Sequence, residues 1–160
     1  MIEVVEDLYV GDEQACHRAS GNDWRVVHAC KHPCHQNAVG YKGSLPQDHP
    51  EYLTSQRDDD LYLNIVDMDR KLSHEFTEPI VSATLDFVED HLGQRQVLIH
   101  CNKGKSRSPA LAMLYLAKRA NQISDDSYAD ARQEFQDLYP RFQPGRGVDA
   151  YLRDYWSALE

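Results

Sequence analysis

Basic residues are scarce: 17 Lys and Arg stand against 26 Asp and Glu, a formal net charge of −9. So acidic a surface argues against non-specific binding to nucleic acid or to anionic membrane, and any anion-binding site must be local. Long apolar runs are also missing. The longest, Ala110 to Ala117, falls far short of a bilayer span, so no membrane insertion is expected. Met1 to Val10 carries three acids and no base, unlike a secretory or mitochondrial leader. The four cysteines (Cys16, Cys30, Cys34, Cys101) are too few for a disulfide scaffold. Free thiols in a reducing compartment, the cytoplasm, are the expectation. There is no internal repeat and no low-complexity segment.

What remains is the composition of one soluble globular domain spanning residues 1–160, with 41% apolar and 27% charged residues. Ile2 to Val10 alternates loosely and ends in a short strand, Leu8-Tyr9-Val10, before Gly11-Asp12. Asp12 to Ala19 suits a short helix, Trp24 to Ala29 a buried strand and Leu61 to Val66 another. Between them, Lys31 to Asp60 loses all periodicity, which is long for a loop. Phe76, Ile80, Leu85, Val88 and Leu92 mark an amphipathic helix, capped by Ser73 or Thr77 and closed by Gly93. Pro79 is tolerable there only near the first turn. Gln96 to His100 is a short apolar strand. Helices over Pro109–Arg119, Tyr128–Tyr139 and Val148–Leu159 complete the chain. Strands alternating with helices, then helices alone, indicate an α/β fold with a helical C-terminal half.

The chemistry is concentrated in Val97-Leu98-Ile99-His100-Cys101-Asn102-Lys103-Gly104-Lys105-Ser106-Arg107-Ser108-Pro109. A buried strand runs into a loop of small and polar residues, which runs into a helix. In α/β sheets the crevice beyond the strand carboxyl ends is where ligands bind. A loop that turns back into a helix N-terminus directs backbone N–H groups inward, as a phosphate dianion requires. The same field would favour a thiolate at Cys101, and the planar fork of Arg107 would hold two phosphoryl oxygens. Gly104-Lys105-Ser106 is not the end of an ATP-binding loop, which needs glycine where Ile99 stands.

His100-Cys101-x5-Arg107-Ser108 resembles the signature of the cysteine-based protein tyrosine phosphatases, and the short chain is similar to their dual-specificity branch. The resemblance extends to Leu8-Tyr9-Val10-Gly11, to Tyr62 through Asp69, and to Phe142–Leu152 with Pro144, Gly147 and Tyr151. The Lys31–Asp60 segment departs from it, being longer than that branch leads one to expect. The resemblance implies a central, mainly parallel sheet flanked by helices and hydrolysis of phosphate monoesters without a cofactor or metal. It implies Cys101 as nucleophile, Arg107 as clamp, and residues 101 to 107 as the phosphate-binding loop: Cys101, Asn102, Lys103, Gly104, Lys105, Ser106 and Arg107. It also implies Ser108 as the hydroxyl that stabilises the departing thiolate, His100 as a brace, and Asp69 as general acid. Asp67 competes for that last role, unless it caps the end of the strand. The implied partner is a protein carrying phosphotyrosine, with phosphoserine and phosphothreonine as further targets. Phosphoinositide, nucleotide or RNA 5′-phosphate hydrolysis, and a silent phospho-binding module, stay open beside it.

Plainer readings attach to the remaining polar groups. Lys103 and Lys105 read as solvated charges. His28, Cys30, His32, Cys34 and His35 are dense in metal-ligating types, but their spacing matches no paired zinc framework. A structural role is expected for them, with metal binding or a disulfide from Cys30 or Cys34 to Cys101 as the alternatives. Asp58-Asp59-Asp60 reads as a solvated loop face.

Overall fold

The computed structural model describes all of residues 1–160. The strands are β1 (Ile2–Val5), β2 (Leu8–Gly11), β3 (Trp24–His28), β4 (Thr54–Arg57), β5 (Asp60–Leu63) and β6 (Gln96–His100). They form one mixed sheet in the order β1-β2-β6-β3-β5-β4. The four central strands are parallel, and each edge is an antiparallel hairpin. Parallel strands sit covered on both faces, and the side chains of β6 divide accordingly. Val97 and Ile99 enter the main core, while Leu98 packs with Val26 beneath α1 (Glu13–Arg18). Asp12 caps α1 by accepting from the amides of Gln14 and Ala15.

The main core lies between the sheet and α3 (His74–His91), α4 (Arg107–Lys118), α5 (Tyr128–Leu138) and α6 (Arg146–Tyr155); the remaining helix, α2 (Gln36–Val39), is a single short turn. Ser108 through Ala117 of α4 are all buried, so this helix is apolar all round and wedged in place. Truncating Leu114 there to Ala would cost about 2–5 kcal/mol. The helix begins at Arg107, two residues before Pro109, because Pro in the first turn has no amide to lose. Pro79 falls in the second turn of α3, deeper than the first-turn position expected for it. No helix is long and apolar enough to cross a membrane.

Three segments differ from their sequence reading. Ile2–Val10 is two strands, divided where Asp7 takes φ +66°. The strand expected over Leu61–Val66 stops at Leu63, so Asn64 to Asp69 is irregular. The Lys31–Asp60 stretch holds a wide helical turn (Lys31–His35), α2 and β4. Asp58 and Asp59 form the two-residue hairpin turn from β4 to β5, both with positive φ, a conformation Asp tolerates better than most residues. Asp60 is not a loop residue; it opens β5.

Candidate active site

The parallel strands end together at Gly11, His28, Leu63 and His100, and the loop after β6 closes that edge. Cys101 follows β6 directly and is 2% exposed. Its amide donates to the Gly11 carbonyl at 3.3 Å. The loop carbonyls beyond it are each bonded outward. Asn102 O accepts from the Glu13 amide, Lys103 O from Arg141, Gly104 O from the Tyr139 hydroxyl and Lys105 O from the Gln143 amide. None of the amides of residues 102 to 106 is bonded to the chain. A loop with its carbonyls engaged outside and its N–H groups free inside is an anion-binding nest. Gly104 makes the bend, with φ +68°, and a methyl there would come within 3.0 Å of the Gly11 carbonyl.

Arg107 starts α4 and leans over the nest. Its Nη2 donates to Asn102 Oδ1 at 2.8 Å and its Nη1 to the Ile65 carbonyl at 3.2 Å, while Nε is buried without a partner. The guanidinium is thus held from two sides with one edge still able to donate. Ser108 Oγ lies 3.1 Å from Cys101 Sγ and 3.1 Å from the Gly11 carbonyl. One hydroxyl proton serves two acceptors. It can go to Gly11 while sulfur is protonated or bonded, and turn to sulfur when sulfur is anionic.

The cavity above the loop, about 410 Å³, is walled by Asp67, Lys103, Lys105, Arg107 and Gln143 among others. Asp67 stands on that wall and Asp69 does not. Asp69 sits exposed on the bend two residues on. Asp67 makes no hydrogen bond to the local amides that it was expected to cap; its carboxylate lies instead against Gly145, where a methyl would overlap it. Gly147 at the start of α6 supports the same segment. Its amide donates to the Met68 carbonyl at 2.9 Å, and a methyl there would collide with the Met68 and Arg70 carbonyls. Lys103 and Lys105 are both exposed and take part in no ion pair.

Behind the loop, His100 is buried, and its Nε2 lies 2.7 Å from His28 Nδ1. Burial first, then the neighbouring His28, pushes the pKa of His100 down to about 3, so the ring is neutral. His28 reaches Asp60 at 3.1 Å, a partner that the solvated reading of Asp58–Asp60 missed. The only sequence signal was that a two-residue turn at Asp58-Asp59 puts the third acid into a strand.

The dense His and Cys cluster separates in space. His35 is fully buried against Tyr41 and the Glu51 carbonyl, whereas His32 is exposed. Cys30 and Cys34 are bonded to each other, not to Cys101, which corrects the expectation of free thiols for this pair. The turn Lys31–His35 causes this by bringing their Cα atoms to 5.6 Å. Cys16 and Cys101 are free. Two triads gather potential ligand atoms, Cys16 with His28 and His100, and Cys30 with Cys34 and His100. In the first, imidazole nitrogens 2.7 Å apart share a proton; in the second, joined sulfurs offer no thiolate.

No known family profile matches the chain. It is similar to a Dictyostelium discoideum protein described as a probable rhodanese domain-containing dual specificity protein phosphatase, at 27% identity over 98% of this chain. The chain spans 29% of that relative's length. Among solved structures it is similar to human DUSP28 (TM-score 0.60, 20% identity, 98% of this chain and 93% of that one). It is also similar to the Yvh1 phosphatase domain from Chaetomium thermophilum (TM-score 0.61, 19% identity, 98% and 94%). A leucine rich repeat and phosphatase domain containing protein from Entamoeba histolytica matches at TM-score 0.63 with 15% identity, over 98% and 90%. The resemblance first carried by His100-Cys101-x5-Arg107-Ser108 therefore extends over the whole chain, which has the fold of the dual-specificity branch of the cysteine-based protein tyrosine phosphatases.

Proposed function

We propose that the chain is one catalytic domain that hydrolyses phosphate monoesters through a cysteinyl-phosphate, acting on phosphotyrosine and on phosphoserine or phosphothreonine in proteins. The observation that carries this is the nest: free amides at residues 102 to 106 and an unpartnered Arg107 Nε surround the buried thiol of Cys101. In this reading Cys101 Sγ attacks phosphorus in line and the ester oxygen leaves with a proton from Asp69. The amides and Arg107 hold the equatorial oxygens as charge shifts. Water, deprotonated by the same carboxylate, then displaces the thiolate, which Ser108 receives as a hydrogen-bond donor. Asp67 is the rival acid because it already stands on the cavity wall. No metal or cofactor enters these steps. A nucleophilic thiolate stays reduced in the cytoplasm, and we place the reaction there, although the Cys30–Cys34 disulfide is a bond that compartment tends to reduce. The acidic surface disfavours nucleic acid as a partner.

A second reading has its own observation. Lys103 and Lys105 are exposed on the rim without acidic partners, which suits a polyanionic headgroup such as a phosphoinositide. Turnover of phosphopeptides, phosphoinositides and RNA 5′-phosphates by the purified chain separates the two. Cys101→Ser should abolish hydrolysis of an aryl phosphate while phosphate binding remains measurable. Residual turnover within about tenfold of the parent would sink the covalent route, since a serine hydroxyl is a far weaker acid than a thiol. Activity should also survive strong chelators.

A further inference from the structure

The cavity over Cys101 does not end at the nest. It shares Asp67, Asn102 and Arg107 with a second cavity of about 440 Å³. That one shares Lys31, Ile65 and Val66 with a third, of about 340 Å³, set between the 31–57 segment and the first turns of α3. Together they form one trench, and the reaction as proposed uses only its first part. The far end is apolar. Ile65, Leu72 and Ile80, all buried, make its floor, and Tyr52 and Phe76 stand in its walls.

Packing and charge both distinguish this end from a simple gap between elements. Tyr52 and Phe76 are half-buried and belong to neither hydrophobic core; their rings meet edge-on with centroids 5.7 Å apart. Phe76, which periodicity assigns to the buried face of α3, opens onto the trench instead. Val66, one of three large hydrophobic residues left exposed, stands between this end and the nest. The wall is fixed in advance, because the Asn64 amide donates to the Leu53 carbonyl at 2.9 Å and its Nδ2 to the Tyr52 carbonyl at 2.7 Å. Little ordering cost is then left for binding. In a chain of net charge −9, no carboxylate lines the far cavity. Lys31 and Arg70 do line it, and neither is in an ion pair. Lys31 Nζ donates only to the Ser44 hydroxyl, at 3.2 Å. Asp67, nearer the nest, is the one acid along the trench.

We propose that the far end of the trench is a specificity site: it takes a large apolar side chain from the same polypeptide that presents the phosphorylated residue, with an acidic neighbour held by Lys31 and Arg70. The inference rests on the nest being the phosphate site of a phosphoprotein hydrolase. Burial of the side chain against Tyr52, Phe76 and Ile80 supplies affinity, and the two cations select acidic over basic flanking sequence. A peptide fits better than a lipid. The cavity is ample for one side chain but too small for a pair of acyl chains, and Ser44, Asn64 and Ser73 in its lining offer polar partners to a peptide backbone. Lys31, Ser44, Tyr52 and Leu53 all come from the Lys31–Asp60 stretch, which carries no catalytic motif. The preference is therefore built separately from the chemistry.

A phosphotyrosine peptide with alanine at every flanking position, remade with Phe at one position at a time, tests the site. At one position Phe should raise kcat/KM about tenfold, through KM and with kcat unchanged. A flat scan overturns the proposal, and turnover of an aryl phosphate by the same preparation would show that the hydrolase reading survives it. Glu beside that Phe should add roughly threefold over Lys, a gain lost at high salt and in Arg70→Gln. Equal rates with Glu and Lys also overturn the proposal. In Phe76→Ala the advantage of the Phe peptide over the Ala peptide should vanish, and an advantage that stays tenfold overturns the site. Ser73→Trp blocks the same cavity from an exposed position that makes no capping hydrogen bond, and it decides if Phe76→Ala does not fold. Phosphoinositide vesicles turned over faster than the best peptide, and slowed by Phe76→Ala, would place an acyl chain there and overturn the peptide assignment. If the chain turns over no phosphate ester, titration of the same peptides decides. Binding that depends on Phe retains the site and discards the hydrolase reading, and binding indifferent to Phe overturns the site.

Discussion

Residues 101–107 and residues 31–57 close the same end of the sheet, and Asn102 even reaches across to the His32 carbonyl at 3.0 Å. They are held in opposite ways. The 101–107 loop is held through its backbone, every carbonyl from Asn102 to Lys105 being engaged by β2–α1 or by the turn before α6. The 31–57 segment is held through side chains. His35 joins Tyr41 at 2.6 Å and the Glu51 carbonyl at 2.9 Å, and Glu51 accepts from Ser55 and Arg57, each at 2.6 Å. A backbone-held loop leaves its amides free for a ligand and tolerates varied side chains at its rim. A side-chain-held segment depends on a few polar hubs, so substitutions in the two regions should fail in different measurements.

A large effect is expected in the loop. Arg107→Lys keeps the charge but loses the fork that bonds Asn102 and Ile65, and should cost about 10²–10³-fold in kcat/KM with little change in melting temperature. A loss within tenfold would remove the clamp from the mechanism.

Next come the two acids, which sharpen the contrast because they sit on irregular chain between the regions. Asp69→Asn should slow turnover of a phosphopeptide by ~10²–10⁴-fold, but slow an aryl phosphate with a good leaving group far less. It should also remove the basic limb of the pH–rate profile. Asp67→Asn should show neither signature. If the leaving-group dependence follows Asp67, the carboxylate already on the cavity wall is the acid and Asp69 is not.

In the side-chain-held segment the readout changes to stability. His35→Ala should destabilise the fold by about 1–3 kcal/mol, because the Tyr41 hydroxyl and Glu51 carbonyl lose their partner. The pH dependence has a definite sign. Burial lowers the pKa of His35, and burial with His28 lowers that of His100 to about 3. The folded state therefore resists protons that the unfolded chain accepts. Their contribution is whole above the ordinary histidine value of 6.5 and fades as pH falls, for His100 towards about 3. Denaturant unfolding across that range should show stability falling with acid, less steeply in His35→Ala. The smallest effect belongs to Glu51, whose pKa the Arg57 hydrogen bond, with help from Ser55, lowers from 4.5 to about 2. Its contribution is present above 4.5 and lost towards 2, so Glu51→Gln should flatten only that lower stretch. Equal acid sensitivity in parent and variant would show that the hub is not needed.

What the sequence by itself determined lies within short spans of chain. A buried strand, a glycine bend and a helix start fall inside residues 97 to 109, so the nest and the cysteine at its base follow from local spacing. The apolar run of α4 and the amphipathic α3 and α5 follow from periodicity, because burial of one face or of all faces is written every three to four residues. The tertiary structure decided the rest. Cys30 pairs with Cys34 because a helical turn brings them together, which spacing alone does not require. Asp67 takes the wall and Asp69 the bend because β5 ends at Leu63 and the glycines of the α6 turn pack against that segment. Asp60, His28 and His100 meet across 72 residues of chain only because β5, β3 and β6 lie side by side in parallel register, and register is a property of the sheet.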